Sequence, residues 1–214
     1  MISLGKKRPI GLKWIERMRK GELTRELIIR RAAPLFNQQG YFGASLADIM
    51  RVTGLEKGGI YNHFGSKEQL ALEAFDYAVA EVEQRFWHAI DAADHAVDKL
   101  LAVVALFSAF AAEPPIPGGC PVMNTAVEAD DAQPALRERA RQAFSRWHSE
   151  LRQIAVEGIR RQQVRPETDP DALATVLLST LEGAGVLARL ARDPAHLRRA
   201  VEHLTRYLES EVRA

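Results

Sequence analysis

The sequence predicts an all-α protein of about nine helices. Apolar residues recur at helical spacing over most of the 214 residues, and no segment has the period-two alternation and turn signals of a β-hairpin. Asp169-Pro170 and Asp193-Pro194 each place a capping residue before a first-turn proline, which predicts the start of the last two helices. A composition of 47% hydrophobic and 27% charged residues is typical of a folded globular protein.

The N-terminal part is predicted to hold an arm and a first helix. Residues 1–23 lack a helical period and are rich in basic side chains, so we expect a flexible basic arm. From Thr24, which can cap the first turn, the apolar spacing is helical as far as Gly40, with a kink at Pro34.

The formal net charge of +1 hides a division of charge along the chain. Residues 1–67 hold thirteen Lys/Arg and five Asp/Glu, whereas the remainder holds sixteen and twenty-three. A basic end beside an acidic remainder indicates that the N-terminal region meets a polyanion, although chance clustering of solvated lysines gives the same pattern.

Residues 24–70 contain the pattern of a helix-turn-helix DNA-binding domain. The segment Ser45–Asp48 has the layout of a capping box, the turn Thr53–Leu55 contains a glycine, and a short helix is predicted over Lys57–Phe64. Such a turn holds the second helix so that it enters the major groove. The spacing assigns Leu46, Ile49, Leu55, Ile60 and Phe64 to the core. It leaves outside a set of small or hydrogen-bonding residues, namely Lys57, Gly58, Gly59, Tyr61, Asn62 and His63.

About residues 24–72 resemble the DNA-binding region of the TetR family of repressors. The resemblance is carried by Gly40-Tyr41, Ser45–Ile49, Gly54–Phe64 and Ser66–Leu70. It implies phosphate contacts from Ser45, Tyr61, Asn62 and Lys67, and base or backbone contacts near Lys57, Gly59 and His63. The family commonly has Ser or Thr at the position of Gly59, so one hydroxyl donor is missing here. The basic arm either reaches a minor groove or serves as a solubilising tail.

In that family the C-terminal body, here residues 71–214, typically binds an effector and dimerises. Aromatic side chains on the predicted central helices, including Phe107, Phe110 and Trp147, either line an effector cavity or form plain core. Cys120 precedes Pro121 at a predicted helix start, where backbone amides stabilise a thiolate; it is either a sensing residue or a small buried hydrophobe. Gly119-Cys120-Pro121 with Asn124 and Glu128 resembles a subgroup in which some repressors sense electrophiles or oxidants through a cysteine.

The last two helices are predicted to pair across a two-fold axis in a homodimer. Both carry an apolar stripe, and a terminal helix this apolar needs a partner on its outer side. The predicted interface residues are Leu177, Leu181, Ala184, Leu197, Val201, Leu204 and Leu208. A wide core within one chain is the alternative.

These features predict a cytoplasmic, sequence-specific repressor that leaves a palindromic double-stranded DNA operator when an effector binds or Cys120 is modified. A sensorless architectural DNA-binding protein and a helical-bundle metalloenzyme are the alternatives. The chain has no Glu-x-x-His pairs, and its six histidines and one cysteine are scattered, so we expect no metal site, no cofactor and no enzyme activity. No uncharged apolar run approaches the roughly 18 residues that span a bilayer, so we expect no membrane association.

Overall fold

The computed structural model describes residues 10–129 and 133–214, with side chains from Lys20 onward. Within these ranges the chain forms nine α-helices and ends in one π-helical turn, Leu208–Val212. The helices are α1 (Ile10–Gly43), α2 (Leu46–Thr53), α3 (Lys57–Tyr61), α4 (Lys67–Asp91), α5 (Ala96–Ala112), α6 (Pro121–Ala129), α7 (Pro134–Arg160), α8 (Pro170–Ala191) and α9 (Ala195–Tyr207). The all-α prediction is confirmed, and prolines open α6, α7 and α8 as expected.

The first helix begins earlier than predicted. Residues 10–23, assigned to the flexible arm, continue α1, while residues 1–9 of that arm lie outside the described residues. The segment is rich in Leu, Lys, Glu, Arg and Met, whose helix propensity offsets the cost of about 1 kcal/mol for each of its two glycines. Thr24 therefore does not cap the helix; its hydroxyl donates to the carbonyl of Lys20 at 2.8 Å.

The first four helices share a small core, which we call the head core. Ile28, Ile49, Ile60, Phe64 and Leu70 are each at most 2% exposed there. Burying a side chain such as Phe64 contributes about 1.5–3 kcal/mol, so this core fixes α2 and α3 against α1. Leu46 and Leu55, also predicted as core, are only half-buried at its edge.

A larger core lies in the C-terminal body, and α5 runs through it. Val97, Leu100 and Val103 are fully buried, as expected for a helix that is apolar nearly all round. Helix α4 belongs to both cores, because Leu70 and Ala74 face the head core while Val79 and Phe86 face the body. A displacement of α4 therefore affects both parts of the molecule.

Most of the residues predicted to form the dimer interface are buried within their own chain. Six of the seven, namely Leu177, Leu181, Ala184, Leu197, Leu204 and Leu208, are buried in the core of their own chain, and Val201 is half-buried. The stripes on α8 and α9 pack against α5 and α7 and against each other, which is the intramolecular alternative. The outward face of α8 instead exposes Val176, Leu187 and Leu190.

In the described part of the chain, α8 is the one helix long and apolar enough to cross a membrane by composition. Leu173, Leu177 and Leu181 on its inner side are buried against neighbouring helices. One side of α8 thus packs in the body core.

Candidate nucleic-acid interface and ligand cavity

Helix α2 is capped at both ends, and its C-terminal cap forms the turn to α3. Ser45 accepts a hydrogen bond from the Asp48 amide while the Asp48 side chain accepts from Ser45, so the predicted capping box is present. Gly54 adopts φ 71°, and its amide donates to the carbonyl of Met50 at 2.8 Å. Arg31 of α1 donates to the carbonyl of Thr53 at 2.9 Å, which ties the turn to the first helix.

The predicted DNA-contacting residues cluster on and beside α3. Lys57, Gly58 and Asn62 are exposed, whereas Gly59, Tyr61 and His63 are half-buried. Ser45 is exposed at the first residue before α2, where helix amides point outward. The predicted residues of the recognition helix thus share one outer surface of the head.

Lys67 at the start of α4 is engaged inside the protein. Its Nζ donates to the carbonyl of Tyr41 at 2.5 Å and lies 4.5 Å from the centre of the Tyr41 ring. Burial lowers the pKa of Lys67, although the nearby Glu128 carboxylate acts in the opposite direction. Lys67 therefore joins α4 to the end of α1, a role that sequence reasoning missed.

A cavity of about 450 Å³ opens in the C-terminal body, within the range of small-molecule sites. Phe107, Phe110, Trp147 and Cys120, the four predicted sensing residues, all line it. Phe86, Leu178, Leu181 and Leu197 add further apolar surface. The structure brings the four residues together, and their contact with an effector stays a prediction.

Sequence reasoning missed the polar lining of this cavity. Glu182, Arg189 and Arg192 line it, together with the loop between α5 and α6. Burial raises the pKa of Glu182, whereas a hydrogen bond with Cys120 and the charge of Arg189 lower it. Glu182 is the single acidic residue between Val176 and Leu190. Because a carboxylate in an apolar segment is costly to bury, this position was the signal in the sequence that indicates a polar cavity residue.

The surroundings of Cys120 act on the pKa of its thiol in opposite directions, and whether the residue senses an effector stays a prediction. Backbone amides of Val122 and Met123 do act on the sulfur as predicted, but they are outweighed. Burial, followed by the negative charge of Glu182, raises the pKa of the thiol well above its ordinary value. A raised pKa lowers the fraction of the reactive thiolate, while the residue itself is half-buried and lines the cavity.

The loop between α5 and α6 connects the cavity to the head. Ile116 lines the cavity, yet it is 4% exposed within the head core. The side-chain amide of Asn37 in α1 donates to the carbonyls of Pro117 and Gly119, both at 2.9 Å. Cavity wall and first helix are therefore joined by apolar packing and by hydrogen bonds.

Helix α6 adds two further connections. Asn124 donates to the carbonyls of Asn37 at 3.1 Å and Gly118 at 2.9 Å. Glu128 accepts hydrogen bonds from the amides of Tyr41 and Phe42, both at 2.9 Å. Asn124 and Glu128, which carried a subgroup resemblance with Cys120, thus attach α6 to the end of α1.

Arg189 of α8 joins the same network. Its guanidinium donates to the carbonyl of Gly118 and lies 3.4 Å from the side-chain oxygen of Asn124. Across the described ranges, no group of three or more His, Cys, Asp or Glu side chains is arranged to hold a metal ion.

Two family models match the chain. The model described as bacterial regulatory proteins, tetR family, matches residues 28–74, and that described as tetracyclin repressor-like, C-terminal domain, matches residues 96–204. The regulator LmrA of Bacillus subtilis is 31% identical over 176 residues, which are 81% of this chain and 90% of that protein. An uncharacterized HTH-type regulator of Mycobacterium tuberculosis is also 31% identical, over 79% of this chain and 86% of its own length.

Solved structures agree with these matches. A TetR regulator from Chloroflexus aurantiacus has a TM-score of 0.88 and 48% identity, covering 91% of this chain and 98% of its own. A cysteine mutant of the TetR family regulator CifR, complexed with 26-bp double-strand operator DNA, has a TM-score of 0.76 and 25% identity, covering 86% and 95%. The chain belongs to the TetR family of DNA-binding transcriptional regulators and is not an enzyme.

Proposed function

We propose that this regulator is a cytoplasmic repressor that binds a palindromic operator as a homodimer and leaves it when a small molecule enters the cavity of the body. The observation that carries the proposal is the shared position of Ile116, which belongs both to the cavity wall and to the head core. A ligand that displaces this loop acts directly on the packing of the DNA-binding head.

The operator contacts are assigned to the outer surface of the head. Lys57 and Asn62 supply exposed donors, and Tyr61 and His63 supply half-exposed ones. Lys57 stands at a helix start, where the helix dipole disfavours a cation, so a phosphate partner offsets that cost. Lys67, at the start of α4, is already held by the Tyr41 carbonyl. Ser45 and the backbone at Gly58 and Gly59 complete the surface.

The second protomer is assigned to the outward face of α8. Val176, Gly183, Leu187 and Leu190 recur at helical spacing there, and the three apolar side chains are 44%, 51% and 80% exposed. Among the residues that the structure describes, this stripe has no partner, and self-pairing covers it by two-fold symmetry. The dimer then presents two recognition helices about 34–36 Å apart, the spacing of successive major grooves.

Release follows from the contacts between cavity and head. A ligand pressing on Gly118 or Gly119 changes the hydrogen bonds of Asn37 and Asn124, and with them the position of α1. The movement also reaches Lys67 through Tyr41, so α4 and α1 respond together. The raised pKa of the Cys120 thiol favours reversible ligand binding over covalent modification as the trigger, and the cavity favours a sensor over an architectural DNA-binding protein.

Fluorescence anisotropy tests the DNA-binding part of the proposal. The full chain is titrated against duplex DNA from upstream of its own gene and against a scrambled duplex, across a salt series. We expect preference for the upstream duplex and affinity that weakens steeply with salt. Lys57→Ala is expected to weaken binding and to reduce the salt slope by about 2, that is by about 1 for each protomer of the dimer, whereas Lys99→Ala, on α5, leaves both unchanged.

Equal affinity for the two duplexes at every salt concentration contradicts sequence-specific recognition. An effect of Lys99→Ala as large as that of Lys57→Ala contradicts the assigned surface.

A further inference from the structure

The cavity contains one carboxyl group among apolar walls. Glu182 lies on α8 between residues that line the cavity or pack in the body core, including Leu178, Leu181 and Val186. Withdrawing a carboxylate from water is costly unless a cation or several donors compensate it. A carboxyl group in such a cavity therefore discriminates strongly between ligands of different charge.

The protein compensates Glu182 only in part. The Cys120 thiol hydrogen-bonds to the carboxyl group, and a thiol is a weak donor. Among the side chains that the structure describes, no basic group forms an ion pair with it. Arg189 acts on it only through its charge, because its guanidinium hydrogen-bonds to Gly118. The carboxylate retains acceptor capacity for a ligand.

Aromatic rings stand around the same space. Phe86, Phe107, Phe110 and Trp147 line the cavity, and the Phe86 and Trp147 rings stack with centroids 6.4 Å apart. The negative face of an aromatic ring attracts a cation, most strongly where water is excluded. Carboxyl group and rings thus favour the same ligand charge.

We propose that the cavity binds a monovalent organic cation, in which an ammonium group attached to an apolar or aromatic body faces Glu182. The inference rests on the proposed function in taking this cavity as the effector site. It assigns Glu182 as the specificity-determining residue and the aromatic rings as the support for the cationic head.

Two arginines also border the cavity and favour the opposite charge. Arg189 and Arg192 are exposed, so water screens their charges more than it screens that of Glu182. Arg189 is moreover held by the Gly118 carbonyl. An anionic ligand bound through Arg192 is the competing outcome, and the test includes it.

Isothermal titration calorimetry with three matched probes tests the proposal on the full chain without DNA. The probes are 4-hydroxybenzyltrimethylammonium, its neutral carbon isostere 4-neopentylphenol, and the anion 4-hydroxyphenylacetate. We expect the ammonium to bind about tenfold more tightly than the isostere, and the anion most weakly. Glu182→Gln is expected to abolish this preference, whereas Glu113→Gln, a charge-matched change outside the cavity lining, preserves it.

A second variant keeps the test valid where Glu182→Gln disturbs folding. Phe107→Leu retains apolar volume but removes a ring, so it is expected to weaken the ammonium more than the isostere. The proposal is overturned where the isostere or the anion binds as tightly as the ammonium, where no probe binds, or where Glu182→Gln keeps the preference. Because these titrations contain no DNA, such a result does not affect the anisotropy test of operator binding.

Discussion

Gly58 and Gly59 give the recognition helix two positions without side chains, although the protein itself has room for them. A Cβ atom on Gly58 would meet nothing within 4 Å, and one on Gly59 would lie at an ordinary 3.5 Å from Leu55. Neither residue has a φ that requires glycine. Since two glycines weaken a helix of five residues, we infer that close approach of DNA is the reason for them.

Gly58→Ala is expected to change stability and DNA affinity in opposite directions. The free protein gains up to about 1 kcal/mol because alanine is the better helix former. Operator affinity falls because the new methyl group holds the DNA backbone away. Thermal unfolding and anisotropy on the same preparation measure both effects, and unchanged or stronger operator binding contradicts close approach at this position.

Glu182 gives ligand binding a pH dependence with a definite sign. Because burial raises its pKa, the carboxyl group stays protonated to a higher pH than an ordinary glutamate. The affinity for 4-hydroxybenzyltrimethylammonium, whose charge is permanent, is expected to rise as the pH passes upward through that raised pKa. Of the groups facing Glu182, the Cys120 thiol has its own pKa raised by burial and by the Glu182 charge.

Calorimetry from about pH 5 to about pH 8 follows this effect. The affinity for 4-neopentylphenol, and the affinity of Glu182→Gln for the ammonium, are both expected to stay constant. A parallel change for the charged and the neutral probe assigns the titration to another group.

Residues whose position depends on a local motif could be predicted from the sequence, whereas contacts between residues that only tertiary packing brings together could not. The capping box at Ser45 follows from residues close in sequence and has the predicted arrangement, and the DNA contacts assigned to α3 rest on residues equally close in sequence. The contact of Cys120 with Glu182, which raises the pKa of the thiol, joins residues distant in sequence and is invisible to local spacing.

Among the helices, the end of α1 is the junction on which signalling depends. Gly40 interrupts the helical path with φ 75° and ψ 169°. A Cβ atom there would lie 2.4 Å from a carboxylate oxygen of Glu128, which also accepts the amides of Tyr41 and Phe42. The glycine therefore permits α6 to hold the end of α1.

Gly40→Ala is expected to destabilise the protein by more than about 1 kcal/mol, since it adds an unfavourable positive φ to displacement of Glu128. Gly21→Ala is the matched control, because it lies within the same helix and its Cβ atom would meet nothing within 4 Å. Alanine there is expected to be neutral or stabilising by up to about 1 kcal/mol. Chemical denaturation measures both, and equal stability of the two variants contradicts the role given to Gly40.

Element starts marked by prolines or a capping box were predictable, whereas the start of α1 was not. Pro134 and Pro170 begin helices because their fixed φ suits the first turn. Residues 10–23 have no clear apolar stripe, so periodicity gave no helix although their composition favours one.

For the whole molecule, the outward face of α8 determines the proposed assembly. Leu190→Glu places a charge on its most exposed leucine and is expected to shift the protein toward monomer and to weaken operator binding. Val127→Glu, on α6 and 78% exposed, is the matched control and is expected to leave both unchanged. Sedimentation equilibrium measures the mass, and an unaltered dimer with Leu190→Glu rejects this interface.

Periodicity identified α8 as a helix with more apolar surface than one side can bury, but not which side faces inward. Leu177 and Leu181 lie on one side, and Val176, Leu187 and Leu190 on the other, and all are apolar. Only the packing of α5 and α7 distinguishes the two sides.

Hydroxyl-radical footprinting of the full chain on DNA from upstream of its gene determines whether a dimer places two recognition helices in successive major grooves. We expect two protected segments related by two-fold symmetry, with centres about one helical turn, or 10–10.5 bp, apart. A single protected segment, or two segments at a different spacing, would contradict a dimer bound in this way.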